Sequence, residues 1–300
     1  MDGIINVYKE AGFTSHDVVA KLRGICRQKK IGHTGTLDPQ ATGVLPVCLG
    51  SATRACEMLT DRTKEYVAEL LLGKITDTQD TTGTVLEERE VAVVREVIGS
   101  FVGGYDQIPP MYSALKVNGK KLYELARAGK EVERQARHVD LPAIEILEIR
   151  LPVVKFRVEC SKGTYIRSLC ADIGGKLGCG GTMQSLVRTR VGEFRLTDAL
   201  TLTQLQELRD TGRLEEALLP TDRIFADFNA VHVEEKWRKL IDNGNAFYPE
   251  QTMEQTTYPA GEWVRVYRED DSFVGIYAYD GAKEWYKPVK IFPSNTESRK

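Results

Sequence analysis

The spacing of apolar positions predicts helices and strands along the chain. Val18, Leu22 and Ile25 recur at helical spacing after Thr14, which forms a capping-box pattern with Asp17. The same criteria predict helices at 51–59, 166–177, 201–208 and 214–219, and strands at 44–49, 66–72 and twice within 144–160. These elements do not follow a regular strand–helix–strand rhythm, which favours an α+β fold over a doubly wound sheet.

The last quarter of the chain has a different pattern. Three short apolar runs at 263–267, 273–277 and 285–292 are separated by turn residues at intervals of about ten. Such spacing is typical of a small barrel or sandwich. We therefore expect a β-rich domain after a boundary near Ala226.

The composition is that of an ordinary globular protein. The 300 residues include 41 basic and 43 acidic side chains, and 42% are hydrophobic. This excludes a disordered or collagen-like chain. The slightly acidic balance argues against a basic nucleic-acid coat protein, but not against an enzyme acting on nucleic acid, because binding requires local charge.

The charge is unevenly distributed along the chain. Segment 111–139 carries seven basic and three acidic residues, segment 155–195 carries eight and three, and segment 61–110 carries five and ten. The two basic segments either form one basic face or are unrelated solvated surfaces. Asn118-Gly119 predicts a hairpin in the first of them, with lysines near its tip.

Cysteine and histidine spacing bears on metals and on the cellular compartment. The six cysteines form no Cys-x-x-Cys pair and the four histidines are scattered, so we expect neither a metal site nor a disulfide scaffold. No apolar run reaches the length of a transmembrane helix, and the N-terminus does not resemble a secretory signal. These features predict a cytoplasmic protein with no membrane association.

The glycine-rich loop from Gly32 to Gly43 is the first candidate for chemistry. Asp38 precedes Pro39 there, so it is either a nucleophile or general base on a shaped loop, or the opening of an Asx turn. The loop matches neither the Rossmann nor the P-loop pattern. We therefore expect no nucleotide cofactor.

A second candidate lies where a predicted strand turns into a helix after Gly163. Tyr165 offers an aromatic face and Arg167 a planar cationic fork, although for each residue alone a core-edge or surface position is the favoured interpretation. Lys64 and Tyr66 stand at the start of another predicted strand. By itself, Tyr66 there is typical of half-buried packing.

Four blocks in the chain together resemble the TruB family, the bacterial tRNA pseudouridine-55 synthases. They are, in the family's order, GHTGTLDPQATGVLPVCLG (32–50), KEYVAELLLG (64–73), IPPMYSALKVNGKKLYELARAG (108–129) and CSKGTYIRSLCADIGGKLG (160–178). The resemblance implies the pseudouridine synthase fold, with a mixed, largely antiparallel sheet and flanking helices. It also implies a catalytic domain over 1–226 with an RNA-gripping insertion at about 108–140, and a PUA-like RNA-binding domain over 227–300.

The resemblance implies a reaction and assigns roles in it. Uridine 55 in the T arm of tRNA is flipped out, its N1–C1′ bond is broken, and the rotated uracil is rejoined through C5. Asp38 matches the catalytic aspartate. Tyr66 matches the tyrosine that stacks on the base and acts in removing the C5 proton, and Arg167 matches the basic partner of the aspartate.

The same resemblance assigns substrate-binding positions. Tyr165 lies in the block of the catalytic arginine, and Leu186 falls where the family has an apolar pocket residue. His33 matches a residue that fills the space left by the flipped nucleotide. Lys9 and Lys64 match positions proposed for structure and RNA contact.

The implied partner is the T arm of tRNA, bound by a monomer with no protein partner. No cofactor is expected, since the isomerisation involves no redox change and no donated group. Two other functions stay open: an RNA-binding or RNA-folding protein without catalysis, and a carboxylate-dependent glycosidase or nucleosidase. It is also open whether the aspartate attacks the sugar or the base, or stabilises an oxocarbenium-like species.

Overall fold

The computed structural model describes residues 1–88, 94–117 and 119–293. Its first fourteen strands in chain order are β1 (Gly3–Lys9), β2 (Ile31–His33), β3 (Thr42–Leu49), β4 (Lys64–Leu72), β5 (Lys74–Thr76), β6 (Val85–Glu88), β7 (Tyr105–Gln107), β8 (Lys116–Val117), β9 (Lys120–Lys121), β10 (Arg137–Val139), β11 (Ala143–Arg150), β12 (Val153–Cys160), β13 (Gly181–Val191) and β14 (Phe194–Arg195). The strands that follow them are β15 (Asn229–Val233), β16 (Trp263–Arg268), β17 (Phe273–Asp280) and β18 (Trp285–Ile291).

Helices are fewer and mostly short. The α-helices are α1 (Ser15–Ile25), α2 (Cys56–Thr60), α3 (Arg95–Gly99), α4 (Leu122–Arg127), α5 (Ile166–Lys176), α6 (Leu202–Asp210) and α7 (Arg238–Asp242). Short 3₁₀ helices cover Gly50–Ala55, Leu196–Asp198, Leu214–Ala217, Thr221–Phe225, Glu235–Trp237 and Pro249–Gln251. Among the residues described, no helix is long and apolar enough to cross a membrane.

The centre of the larger part is a sheet with the order β1-β3-β13-β4-β12-β11, in which β2 also pairs with β3 and β14 with β13. Neighbouring strands are antiparallel except for β13 and β3, which run parallel. The expected α+β class with a mixed, largely antiparallel sheet is therefore confirmed. Helices α1 and α6 pack on β1 and β3, and α5 packs on β13 and β4.

The parallel pair β3–β13 depends on a glycine. A Cβ at Gly43 would lie 2.2 Å from the carbonyl oxygen of Arg188, and Gly43 has a φ of 107°. Both facts exclude a side chain at this position. Gly43 thus allows the end of the glycine-rich loop to lie directly on the strand that carries Arg188.

Helix α1 begins as its sequence predicts. The Thr14 hydroxyl accepts a hydrogen bond from the Asp17 amide at 3.1 Å, and the Asp17 carboxylate accepts one from the Thr14 amide at 2.8 Å. This confirms the capping box. The next residue, Ser15, accepts a hydrogen bond from the Leu37 amide at 2.9 Å, so the helix start also holds the loop beside Asp38.

Three predictions for local structure need comment. The helices expected at 51–59 and 214–219 are wrong in part: the structure has a 3₁₀ turn followed by α2 in the first case and only a 3₁₀ turn in the second. Apolar spacing does not separate an α-helix from a 3₁₀ helix in so short a segment, and 3₁₀ geometry is common there. The hairpin is confirmed by the pairing of β8 with β9, although Asn118 itself lies outside the described residues.

The C-terminal part is β-rich, as expected, with the strand order β15-β16-β17-β18. Strand β15 was not predicted, and it pairs parallel with β16. The aromatic ring of Phe225 packs against Phe228, Phe273 and Phe292 in a core shared with the first part of the chain. The boundary near Ala226 stays a prediction.

Candidate active site

Asp38 and Arg167 form a two-point ion pair. The Arg167 Nε lies 2.8 Å from Asp38 Oδ2, and its Nη2 lies 3.3 Å from Oδ1. The arginine side chain is only 5% exposed, whereas that of the aspartate is 39% exposed. The guanidinium therefore fixes the orientation of the carboxylate from the protein interior, and the carboxylate stays open to a reactant on its other side.

Three further groups fix the guanidinium. Arg167 Nη1 donates to the carbonyl of Thr78 at 3.0 Å, and Nη2 donates to the carbonyl of Tyr112 at 2.8 Å. The carboxylate of Asp80 lies 3.9 Å from Nε. Asp80 also accepts the Thr82 amide at 3.0 Å, so it shapes a tight turn while it faces the arginine.

Lys9 supports the backbone of the glycine-rich loop. Its side chain is fully buried, and Nζ donates to the carbonyls of Pro39 at 2.9 Å and Ala41 at 2.6 Å. Burial lowers the pKa of Lys9 to about 8. These contacts fix the backbone directly after Asp38, which is a positioning role. Contact of Lys9 with substrate stays a prediction.

Tyr66 and Arg188 lie opposite each other on β4 and β13. Arg188 is 1% exposed, and its Nε donates to the carbonyl of Val44 at 2.7 Å. Burial raises the pKa of Tyr66, although the neighbouring guanidinium of Arg188 favours the phenolate. Tyr66 is therefore a neutral phenol near pH 7.

The other predicted residues surround this group. Lys64 is buried and donates to the carbonyls of Thr60 and Arg62, at 2.6 and 2.7 Å, and burial lowers its pKa to about 8. His33 is half-buried, and burial together with Arg188 lowers its pKa, so its imidazole is neutral near pH 7. The structure thus gives Lys64 a main-chain supporting position, and its contact with RNA stays a prediction.

Two family models match the chain in sequence. Residues 23–166 match the N-terminal domain of the TruB family pseudouridylate synthases, and residues 167–226 match the C-terminal domain of tRNA pseudouridylate synthase B. The tRNA pseudouridine synthase B of Lachnoclostridium phytofermentans is 53% identical over 97% of this chain and 100% of that protein. This chain belongs to the TruB family. A second relative, from Alkaliphilus oremlandii, is 49% identical over 97% of each chain.

Solved structures agree with the TruB assignment. An H/ACA RNP bound to a substrate RNA containing 2′-deoxyuridine has a chain that is 26% identical with a TM-score of 0.74, over 98% of this chain and 86% of that one. A Cbf5-Nop10-Gar1 complex has one that is 29% identical with a TM-score of 0.73, over 97% and 85%. The chain is a pseudouridylate synthase with the architecture of these proteins.

The predicted residues of this TruB chain lie in one region. Asp38 acts electrostatically on Lys9, Tyr66 and Tyr165. Leu186 is buried in the same core cluster as Tyr66. Their roles toward substrate stay predictions.

Sequence reasoning missed two charged residues of the site. Asp80 lies in a segment whose sequence predicts a polar turn, and Arg188 lies on β13, which was not predicted as a strand. The available signal for Arg188 was its place in a short run, 186–191, that contains the strand-favouring residues valine and threonine. No local pattern indicated that Asp80 faces Arg167.

Proposed function

We propose that this chain isomerises uridine 55 in the T arm of tRNA to pseudouridine, with Asp38 as the essential catalytic residue. The observation that carries the proposal is the Asp38–Arg167 pair, in which a buried guanidinium holds a partly exposed carboxylate at two points. The names of the relatives support tRNA as the RNA substrate. Position 55 is supported by the four sequence blocks.

The reaction constrains what the residues do. The N1–C1′ bond breaks, the C5–C1′ bond forms, the proton on C5 leaves, and N1 gains a proton, so no oxidant or donated group is needed. The carboxylate of Asp38 acts on this exchange by attack on the sugar or the base, or by stabilising an oxocarbenium-like sugar. Arg167 serves each route, because it fixes the direction of the carboxylate.

Tyr66 and His33 suit a flipped nucleotide. Extrusion of a base costs a few kcal/mol, and stacking on an aromatic side chain returns about 1–3 kcal/mol. Tyr66 is a neutral phenol in the same core cluster as the buried Leu186, and an aromatic ring in an apolar region suits a planar base. The neutral imidazole of His33 enters the vacated stack without bringing a charge next to the bases. To accept the proton from C5, Tyr66 must first lose its hydroxyl proton and become a phenolate. The guanidinium of Arg188 favours that phenolate.

The insertion supplies cations for the RNA backbone. Lys116, Lys120 and Arg137 are exposed and form no ion pair within the part of the chain that the structure describes. Lys121 and Arg127 lie over the ring of Tyr123, at 5.4 and 5.5 Å from its centre. Free cations on an exposed segment bind phosphates and release counterions, so tRNA binding is expected to weaken with salt. A monomer acting in the cytoplasm is part of the same proposal.

The decisive test is incubation of the protein with an unmodified tRNA transcript, followed by mapping of pseudouridine. A transcript with cytidine at position 55 is the matched control. Pseudouridine at position 55 alone supports the proposal, and pseudouridine elsewhere contradicts the T-arm assignment. Bound tRNA without product would favour an RNA-binding protein, and free uracil would favour a glycosidase.

A further inference from the structure

Gln107 makes an unusual contact next to the active site. Its side chain is 2% exposed, and its carboxamide bonds the main chain of Tyr165 twice. The Tyr165 amide donates to Oε1 at 2.8 Å, and Nε2 donates to the Tyr165 carbonyl at 3.0 Å. One buried side chain thus satisfies both the donor and the acceptor of a single residue.

The residue that Gln107 clamps is the N-cap of helix α5. Tyr165 has no side-chain capping bond of its own, and its carbonyl also accepts the first intrahelical bond, from Leu169 at 3.0 Å. Arg167 is the second residue of this helix. A shift or rotation of the first turn would therefore move the guanidinium relative to Asp38.

A second pair of hydrogen bonds fixes which way the carboxamide points. Nε2 of Gln107 also donates to the Tyr105 hydroxyl at 2.6 Å, and that hydroxyl donates to Asp172 Oδ2 at 2.7 Å. A carboxylate only accepts, so the tyrosine hydroxyl must donate to Asp172 and accept from the amide. Asp172 is itself on α5, so strand β7 holds the helix at two points.

Tyr112, five residues after Gln107, also contacts the Asp38–Arg167 pair, because its carbonyl accepts a hydrogen bond from Arg167. Strand β7 leads directly into the insertion proposed to grip RNA. The first residues of the insertion are therefore part of the support of the Asp38–Arg167 pair.

We infer that Gln107 is a positioning residue for pseudouridylation, which holds the first turn of α5 so that Arg167 meets Asp38 at two points. It touches neither Asp38 nor the base and acts through Tyr165 and Arg167. The inference rests on the proposed function for the role of Asp38. Loss of the Gln107 carboxamide is expected to slow the chemical step without weakening RNA binding.

The test uses the full chain and three variants: Gln107→Met, Gln107→Glu and Tyr105→Phe. Gln184→Met is the matched control, because that glutamine is exposed and its side chain donates, among the described residues, only to Glu69, at 3.4 Å. Single-turnover rates with saturating tRNA, Kd for tRNA and melting temperatures are measured for each. Gln107→Met is expected to slow the reaction about tenfold or more with Kd within about twofold, since small misplacement of catalytic groups is costly.

Gln107→Glu adds a readout that a merely structural role would not change. At pH 8 its carboxylate faces the Tyr165 carbonyl and cannot donate, whereas the protonated acid restores a donor and keeps the shape of glutamine. The rate deficit of Gln107→Glu relative to the wild type is expected to shrink as the pH falls from about 8 to 6. The deficit of Gln107→Met is expected to stay constant over the same range.

Amide hydrogen exchange of the 163–169 segment completes the experiment, because it needs no activity. Faster exchange there in Gln107→Met, with α1 unchanged, supports the clamp even if the wild type made no pseudouridine in tRNA. A wild type that makes no pseudouridine in tRNA would contradict the proposed function but not the clamp. Unchanged rate and exchange in Gln107→Met, or a loss confined to Kd, would overturn the inference. If that variant unfolds, Tyr105→Phe, which lacks only a hydroxyl, decides by the same criteria.

Discussion

The two basic segments of the chain have similar charge balances but differ in how many of their cations have carboxylate partners. Among the residues described, five of the eight cations in segment 155–195 pair with a carboxylate, and one of the seven in segment 111–139 does so. In segment 155–195, Arg167 and Arg190 pair with Asp38 and Glu159, each with a closest approach of 2.8 Å, and Arg188 is buried against main-chain carbonyls. In segment 111–139, by contrast, exposed cations lie on a hairpin and its flanks. Net charge along the sequence therefore does not show whether a cation is available to RNA, because that depends on its carboxylate partners in the fold.

The contrast separates two tasks. A buried, paired guanidinium has one orientation and can hold a catalytic group, but it has no free donor for a phosphate. An exposed lysine has many orientations and suits a flexible anionic backbone. We therefore expect variants of segment 155–195 to alter chemistry and variants of segment 111–139 to alter binding.

Among variants of the basic residues, the largest effect is expected for Arg167→Lys. An ammonium cannot contact Asp38 at two points and also donate to the carbonyls of Thr78 and Tyr112, so the carboxylate loses its orientation. The single-turnover rate is expected to fall about a hundredfold or more, with Kd for tRNA within about twofold. Arg190→Lys, at the pair with Glu159, is the control. A weaker Kd with an unchanged rate would remove the contrast between the segments.

A buried cation should also make stability depend on pH. The pKa of Lys64 is about 8 in the folded chain and 10.5 without burial, so between these values the unfolded chain binds more protons. The contribution of Lys64 to the free energy of unfolding is therefore lowest below pH 8 and rises toward pH 10.5, by up to about 3 kcal/mol. The difference in unfolding free energy between the wild type and Lys64→Met should show this rise, and exposed Lys120→Met should not. A flat difference for Lys64→Met would contradict the burial of a charged amine.

An intermediate effect is expected for the insertion. The triple variant Lys116→Gln/Lys120→Gln/Arg137→Gln is expected to weaken tRNA binding about tenfold near 0.1 M salt and to lower the slope of log Kd against log salt by about 2. The rate at saturating tRNA should not change. The double variant Lys155→Gln/Arg157→Gln, whose cations pair with Glu69 and Glu145, is the control. An equal loss of tRNA affinity in both variants would show that pairing with a carboxylate does not decide whether a cation is available to RNA.

The smallest effect is expected for Lys162→Gln. Lys162 pairs with Asp61 at 2.9 Å, but both side chains are about 60% exposed. Exposed pairs contribute about 0–1 kcal/mol, so denaturant unfolding should differ from wild type by less than about 1 kcal/mol. A larger loss would mean that exposed pairs also support the fold in this segment.

The sequence left part of the sheet unpredicted, and the local pattern around each candidate residue favoured an ordinary turn or packing role. Through the four blocks that resemble the TruB family, Asp38, Arg167 and Tyr66 were nevertheless identified as candidates. The partners that the fold places beside them were not, because Asp80 and Arg188 reach the site from segments distant in sequence.

Central strand β13 shows why part of the fold was missed. It is a long strand, but two register shifts against β4 interrupt its alternation, and it also contains arginines. Its position between β3 and β4 depends on Gly43 and on long-range pairing that no local pattern contains. Strand β15 was missed for a similar reason, since its partner lies more than thirty residues later.

The catalytic role of Asp38 is tested most directly by a single-turnover assay of Asp38→Asn with tRNA already bound. Asparagine keeps the shape of the side chain and one acceptor for Arg167, but it removes the carboxylate. We expect tRNA binding with near wild-type Kd and no detectable pseudouridine. Pseudouridine formation at a rate close to that of the wild type would contradict the central claim that Asp38, held by Arg167, carries the reaction.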